Sequence, residues 1–423
     1  MNADKQLMAE LTKELTYKID VIRSKNGTYN TVETIRHYSI PSPGVIAIPS
    51  GRMDLIPEDF DIVDRRINFE CMLPYPLIHL RTDPGGQQDV LDAWEGSGIL
   101  NAMVGWGKSF TALWIAFKLG QKTLVVTHNT MLRDQWIKDV RVLFGIEPGI
   151  VGSGEFDINS PIVIGNVQTL TKLSEPLANT FGTLIVDECH HTPATTFTNI
   201  VAASKARYKI GLSGTVERKD GKHILFKDFF GPVIIKPPQS NTLTPKIKII
   251  KSGRKLNPTS TWPMKINELM EDYQYQEFIA AIAITLIDKG RKVLIVADRV
   301  AFLERVNRLI GDRSILITGS TADFAAREKA KKQIETDEKW SICGSKQIFA
   351  EGISINILDT IILTCPTGNA QLLEQLIGRI QREYPGKEDC WAIDINFLGR
   401  AEKVTNNARL MFYAGKGWEV QVV

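Results

Sequence analysis

Residues 99–109 read Ile-Leu-Asn-Ala-Met-Val-Gly-Trp-Gly-Lys-Ser, an apolar run that leads into a turn containing two glycines. The apolar run has the length and composition of a buried β-strand. A helical pattern follows the turn and continues through Leu119. The order of strand, glycine-rich turn and helix predicts one unit of a parallel α/β sheet, because parallel strands are usually joined through a helix.

The same alternation of strand-like and helical segments continues along the chain in two blocks. Strand-like runs of the first block cover residues 123–127, 161–164, 183–186 and 208–212. A polar, proline-containing stretch at 236–263 interrupts the pattern. The second block contains the runs 292–297, 314–317, 341–344, 360–363 and 390–393. We therefore predict an α/β protein with two tandem domains, residues 76–240 and 241–423, each a parallel sheet flanked by helices.

The first 75 residues differ from the rest of the chain. A polar helical segment opens the chain, and short strand-like pieces such as 17–22 and 44–48 follow, broken by prolines. This mixture predicts a small α+β accessory domain over residues 1–75.

Composition excludes several classes of protein. The 423 residues are 43% apolar and 23% charged, with a net charge of +3, which is typical of a globular protein and rules out a disordered or fibrous chain. The five cysteines are dispersed and form no C-x-x-C pair, so we expect free thiols. Neither a signal peptide nor a membrane-spanning run is present, so we expect an intracellular protein with no membrane partner.

The turn after the first strand has the spacing of a phosphate-binding loop. Its candidate nucleotide-binding residues are Val104, Gly105, Trp106, Gly107, Lys108 and Ser109. The glycines let backbone N–H groups point at phosphate oxygens, and the following helix N-terminus adds positive partial charge. Lys108 would reach the β- and γ-phosphates, and Ser109 would bind Mg²⁺. The alternative is a solvated glycine-rich turn, which the strand–loop–helix context disfavours.

An acidic pair ends the buried run at 183–186. Asp187 lies where a carboxylate at the end of a strand beside the phosphate loop can hold Mg²⁺. Glu188 would polarise the attacking water as a general base. A solvated pair of loop acids is the alternative. The sequence Cys189-His190-His191 matches no zinc-binding spacing.

These two motifs resemble motif I and the DExH box of superfamily 2 helicases. Further matches follow in the family's order: Gln87 (the adenine-reading glutamine), 125–128 with 134–136 (motif Ia), 166–170 (Ib), 212–215 (III), 294–297 (IV), 344–345 with 350–353 (V) and 375–382 (VI). The resemblance covers about residues 75–395 and implies two RecA-like domains, ATP and Mg²⁺ as cofactors, and a nucleic-acid partner.

The resemblance also assigns roles in the second domain. Gly352 of motif V would contact the nucleotide, and Gln375, Arg379 and Arg382 of motif VI would be catalytic. The two arginines lie three residues apart on a predicted helix and would share a face. In the family they contact ATP held by the first domain, which makes hydrolysis conditional on domain closure. A solvated basic helix face is the alternative.

Candidate nucleic-acid contacts follow from the same motifs. They are Thr127, Arg133 and Thr169 in the first domain and Arg299, Gly319 and Ser345 in the second. Hydroxyls, amides and basic groups of this kind grip phosphates without reading sequence. The alternative for each arginine is an ordinary surface helix residue.

Within the superfamily, the chain is most similar to the phage UvsW and XPB-type helicases, which act on branched DNA. Residues 62–66 precede the motor as in that group, whereas His128 and Ser354 depart from the common motifs. We therefore expect a monomeric DNA motor in the cytoplasm of a bacterium or phage-infected host, associated with the nucleoid. An RNA helicase, a non-catalytic nucleic-acid-binding module and the motor subunit of a nuclease complex are the alternatives.

Overall fold

A computed structural model describes residues 4–24, 28–103, 105–177, 179–191, 195–214, 225–238, 242–319, 324–351 and 355–423. The chain forms two compact units, one within residues 1–240 and the other within residues 241–423. Across these described ranges, every helix is too short or too polar to cross a membrane. All five cysteines are free thiols.

The first unit is built on one mainly parallel sheet, and the unit also contains two separate antiparallel strand pairs. Its strands are β1 (Thr16–Ser24), β2 (Thr28–Arg36), β3 (Ser39–Ser42), β4 (Val45–Ala47), β5 (Gly98–Asn101), β6 (Thr123–Thr127), β7 (Gly149–Gly152), β8 (Glu155–Phe156), β9 (Ile162–Asn166), β10 (Thr183–Val186), β11 (Tyr208–Ser213) and β12 (Ile234–Ile235). Its helices are α1 (Lys5–Glu14), α2 (Gln87–Asp92), α3 (Lys108–Leu119), α4 (Thr130–Phe144), α5 (Val167–Leu177), α6 (Thr195–Ala203) and α7 (Phe226–Phe230). The strand order of the sheet is β12-β5-β11-β10-β6-β9-β7-β8, and only the β7–β8 pair is antiparallel.

Alternating side chains of the central strands enter two separate cores. Val125 packs with α2, α3 and α4 on one face of the sheet, whereas Leu124 and Val126 pack with α5, α6 and α7 on the other. Successive residues of a strand point to opposite faces, so a strand covered on both sides is apolar throughout. The predicted sheet with helices on both faces is therefore confirmed in this unit.

The N-terminal region forms two antiparallel pairs, β1–β2 and β3–β4. Tyr17 and Ile19 belong to the same core as α5, α6 and α7. Asp228 of α7 is fully buried and accepts hydrogen bonds from the Tyr17 hydroxyl at 2.8 Å and from Arg52 Nη1 at 3.3 Å. The first 75 residues thus contribute core and polar contacts to the first unit, and a separate accessory domain there stays a prediction.

The second unit is a parallel sheet with the strand order β15-β16-β14-β17-β18-β13-β19. Its strands are β13 (Pro245–Lys255), β14 (Val293–Ala297), β15 (Ser314–Ile317), β16 (Ser341–Ser345), β17 (Thr360–Leu363), β18 (Cys390–Leu398) and β19 (Val420–Val422). Its helices are α8 (Trp262–Glu271), α9 (Tyr273–Asp288), α10 (Val300–Ile310), α11 (Phe324–Glu335), α12 (Lys346–Glu351), α13 (Ala370–Ile377) and α14 (Arg400–Gly415). Two tandem α/β sheets were predicted, and the structure confirms them.

One helix is shorter in the structure than the sequence predicts. The helix expected to carry both motif VI arginines, α13, ends at Ile377, and residues 378–380 form a turn. Arg382 instead forms an antiparallel bridge with Thr242, and the Gln381 carbonyl accepts a hydrogen bond from the Leu243 N–H at 2.7 Å. Pairing with residues 242–243 takes the backbone groups that a longer helix would use, so the helix stops.

Candidate active site and nucleic-acid contacts

The order of the strands brings the predicted phosphate loop and the acidic pair to one edge of the first sheet. Strands β5, β11 and β10 are adjacent and parallel, with Asn101 beside Ser213 and Val186 beside Gly211. The loop after β5 and the acids after β10 therefore leave the sheet at the same edge, because parallel strands end on the same side. This edge is where α/β proteins usually bind ligands.

The phosphate loop has the backbone that its glycines predict. Gly105 and Gly107 adopt φ of 89° and 99°, a region that residues with a Cβ rarely enter, and Gly107 caps the N-terminus of α3. The Lys108 ammonium donates hydrogen bonds to the carbonyl oxygens of Ala102 at 2.9 Å and Met103 at 3.2 Å. Phosphate oxygens are stronger acceptors than these carbonyls, so the loop can receive a triphosphate at the helix N-terminus. Val104 lies outside the described residues.

Gln87 lies against the phosphate loop. It is buried, its Oε1 accepts from the Arg81 N–H at 3.2 Å, and its Nε2 donates to the Gly107 carbonyl at 3.2 Å. Arg81 in turn donates to the Trp106 carbonyl at 3.1 Å and lies 5.8 Å from the centre of the Trp106 ring. The sequence does not reveal the role of Arg81, because nothing local connects it to a loop 25 residues later. The oxygen and the nitrogen of the Gln87 amide thus both bind backbone groups, which connects residues 81–87 to the phosphate loop.

The two acids of the DExH box differ electrostatically. Burial and the charge of Glu188 raise the pKa of Asp187. Burial also raises the pKa of Glu188, but the nearby His190 and the Lys108 charge outweigh it and lower that pKa below its usual range. Glu188 is therefore ionised at neutral pH, as a group that must accept a proton requires. Glu188 also has a φ of 48°, a strained value typical of functional positions.

His190 joins the DExH box to motif III. Its Nδ1 lies 3.2 Å from Glu188 Oε2 and 3.1 Å from the hydroxyl of Ser213, the last residue of β11. All three groups lie at the same edge of the sheet as the phosphate loop. The His190 imidazole therefore lies between the Glu188 carboxylate and the end of β11, and it is close to both. Thr215 of motif III lies outside the described residues.

Helix α4 contacts one of the predicted magnesium ligands. The Trp136 indole N–H donates to Asp187 Oδ2 at 2.9 Å, and Asp139 on the same helix accepts from Gln135 Nε2 at 2.7 Å. Burial raises the pKa of Asp139 to about 7. The sequence showed Trp136 within motif Ia but assigned it no role, and it did not single out Asp139. Their three-residue spacing places both on one helix face, which is the one signal that could have found them.

Mg²⁺ and ATP suit the groups assembled here. The Asp187 carboxylate and Ser109 hydroxyl are hard oxygen donors of the kind that Mg²⁺ prefers. No cluster of three or more histidine, cysteine, aspartate or glutamate ligands exists among the described residues. Such a small protein donor set fits Mg²⁺ held jointly by protein and nucleotide phosphates, rather than in a protein cage.

Motif VI of the second unit places two guanidinium groups close together. Arg379 is buried, and one of its Nη2 hydrogen bonds goes to the Ala350 carbonyl. Arg382 Nη1 donates to Asn356 Oδ1 at 3.1 Å, and burial together with the Arg379 charge lowers the pKa of Arg382. Gln375 lies half-buried on α13. Repulsion between two adjacent cations is relieved by an anion, so this pair suits phosphate. Gly352 lies outside the described residues.

The residues predicted to contact nucleic acid in the first unit differ in how exposed their side chains are. Thr127 ends β6 fully buried, and its hydroxyl donates to Asn166 Oδ1 at 3.0 Å, so its side chain does not reach the surface. Arg133 on α4 pairs with Asp134 at 2.9 Å and donates to the Ser153 hydroxyl at 2.7 Å. Thr169 is half-buried on α5. Both Arg133 and Thr169 follow adjacent strands, β6 and β9, at one sheet edge.

The corresponding residues of the second unit follow three adjacent strands. Arg299, Gly319 and Ser345 lie at or just beyond the ends of β14, β15 and β16. Arg299 is exposed and its Nε donates to Asn267 Oδ1 at 2.7 Å, while Gly319 is exposed in a turn. Ser345 pairs in register with Ala297 and is half-buried. The topology therefore brings the three to one edge of the sheet.

Comparison with known proteins agrees with these motifs. The family model "Type III restriction enzyme, res subunit" matches residues 86–218, and "Helicase conserved C-terminal domain" matches residues 275–383. "Probable helicase D10" of Escherichia phage T5 is 37% identical, covering 98% of this chain and 92% of that protein. "ATP-dependent DNA helicase uvsW" of Enterobacteria phage T4 is 24% identical over 63% of this chain and 57% of its own length.

A solved structure shares the fold. The structure of S. cerevisiae Dbp5 bound to RNA and ADP BeF3 covers 80% of this chain and 88% of its own, at 12% identity and a TM-score of 0.57. Such low identity shows the fold alone. The T5 relative matches almost end to end, and the two family models cover the regions that carry the phosphate loop, the acidic pair and motif VI. On this evidence the chain belongs to the superfamily 2 helicases, ATP-dependent enzymes, within the group that resembles UvsW and XPB.

Proposed function

We propose that this helicase is a DNA motor that remodels branched DNA, such as forks and Holliday junctions, in recombination, repair or replication. The observation that carries the proposal is the meeting of the phosphate loop and the acidic pair at one sheet edge, with Lys108 inside the loop, Asp187 buried and Glu188 half-buried. Its DNA specificity is supported by the T4 relative named as a DNA helicase.

In the proposed reaction, Lys108 would bind the β- and γ-phosphates, and Ser109 and Asp187 would hold Mg²⁺, whose chemistry there is to neutralise phosphate charge. Glu188 is ionised and accepts a proton from the attacking water, while His190 holds its carboxylate in place. Arg379 and Arg382, with Gln375, stabilise the charge of the transferring phosphoryl group.

Nucleic acid would be held without sequence readout, and the motor would act as a monomer. Arg133 and Thr169 in the first unit and Arg299, Gly319 and Ser345 in the second would contact the backbone of one strand. The proposal is supported by their positions after adjacent strands in each sheet. Backbone contacts of this kind make binding strongly dependent on salt, because counterions are released.

A substrate panel tests the proposal. ATP hydrolysis and strand displacement are measured with forked DNA, a Holliday junction, plain duplex DNA and RNA of matched length. We expect branched DNA to stimulate hydrolysis most. Stimulation by RNA alone would replace the DNA motor with an RNA helicase.

The Lys108→Ala variant is the control for the nucleotide site. The Lys108 ammonium lies within the loop, so its loss removes the charge that binds the phosphates. We expect hydrolysis to fall to background on every substrate while DNA binding persists. Turnover at the wild-type rate would reject the proposed site.

A further inference from the structure

One predicted magnesium ligand is supported by a helix from another part of the chain. Trp136 lies on α4 and its indole contacts Asp187, which follows β10. A rigid element thus holds a ligand that lies 51 residues later in the chain.

The carboxylate of Asp187 is held by donors on both oxygens. Trp136 donates to Oδ2 at 2.9 Å, and the Glu188 backbone N–H donates to Oδ1 at 3.0 Å. Trp136 is 1% exposed and Asp187 is 7% exposed, so water does not replace the indole. Two donors at fixed positions set the plane of the carboxylate and leave its remaining lone pairs directed elsewhere.

An indole has particular value in this position. Its N–H donates and cannot accept, so it contacts the carboxylate without competing for a cation. The ring is locked by the surrounding core, which includes Val140 and Leu143 of the same helix. Partners of metal-bound carboxylates orient the ligand and commonly change metal affinity by about 10- to 100-fold when removed.

We propose that Trp136 is a positioning residue that orients Asp187 for Mg²⁺ binding. This inference rests on the proposed role of Asp187 as a magnesium ligand. It gives motif Ia a second task besides the predicted nucleic-acid contact at Arg133, because the same helix carries both.

The matched variants are Trp136→Phe and Trp114→Phe. Trp114 is also a buried tryptophan of the first unit, and its indole donates to the Ile78 carbonyl at 3.0 Å, away from the acidic pair. Both changes therefore remove one indole hydrogen bond and a similar volume. Only the first removes a donor to a predicted metal ligand.

Metal affinity is measured directly by electron paramagnetic resonance, with Mn²⁺ titrated into protein holding a non-hydrolysable ATP analogue. We expect Trp136→Phe to weaken Mn²⁺ binding by about tenfold. Trp114→Phe should bind Mn²⁺ like the wild type. Affinity for the analogue without metal should be the same in both variants, which a general structural defect would not produce.

Two further variants keep the test decisive. Trp136→Tyr keeps an aromatic ring with a hydrogen-bond donor and should bind Mn²⁺ more tightly than Trp136→Phe. Asp187→Asn tests the proposed ligand itself. If Asp187→Asn binds Mn²⁺ normally, the proposed metal site is wrong. If Asp187→Asn loses Mn²⁺ but Trp136→Phe matches the wild type, the positioning role alone is overturned.

Discussion

Replacing Gly107 with alanine should damage the nucleotide site more than the same change at Gly120, although both glycines cap α3. Gly107 has φ of 99° and Gly120 has φ of 60°, so each alanine meets an unfavourable backbone conformation, at a cost of about 1–2 kcal/mol. A Cβ at Gly120 would meet nothing within 4 Å, whereas one at Gly107 would lie 2.3 Å from Gln87 Nε2.

The additional cost at Gly107 follows from the contacts of Gln87. Its side chain must move away, which breaks its hydrogen bonds to the Arg81 N–H and the Gly107 carbonyl. Each bond contributes about 1 kcal/mol, so we expect Gly107→Ala to cost about 3–4 kcal/mol in total and Gly120→Ala about 1–2 kcal/mol. Only the first should weaken nucleotide binding, because Gly107 belongs to the phosphate loop.

Calorimetric unfolding and titration with a fluorescent ATP analogue measure both effects. A double variant, Gln87→Ala with Gly107→Ala, removes the atom that the new Cβ would strike, so its cost should be less than the sum of the single changes. Equal stability and equal ATP affinity in the two glycine variants would refute the reasoning. It would mean that the close approach of Gln87 does not constrain the loop.

Two further predictions concern stability. Burial and the Arg66 charge lower the pKa of Lys209 from 10.5 to about 8, so below pH 8 both folded and unfolded chains carry the proton. Between pH 8 and 10.5 the folded chain loses the Lys209 proton before the unfolded chain does, so the free energy of unfolding rises with pH. Unfolding in urea should show a rise of up to ~3 kcal/mol, which should be absent in Lys209→Met. Asp228→Ala should cost about 1–3 kcal/mol by thermal unfolding because it removes the acceptor of the buried Tyr17 hydroxyl, while Arg52 keeps its pairs with Asp54 and Glu14. Exposed Asp312→Ala should be neutral.

The fold class and the helicase family were predictable from sequence because their signals are local. A glycine turn between a strand and a helix, and acids directly after an apolar run, occupy consecutive positions in the chain. Short-range periodicity therefore located β5, β6, β10 and β14 within a few residues. The end of α13 was not predictable, because it depends on pairing of residues 381–382 with 242–243, more than a hundred positions away.

The candidate active site shows the same difference between what local sequence predicts and what long-range packing decides. Sequence alone determined which residue types are available for phosphate chemistry, since Lys108, Asp187 and Glu188 stand in recognisable patterns. Only the tertiary structure decided that Trp136 donates to Asp187, 51 residues later in the chain, and that the Thr127 hydroxyl is buried. The physical reason is that hydrogen bonds and burial depend on distance in space, which strand order and helix packing set. Local pattern determines conformation and chemistry, and packing determines which groups meet.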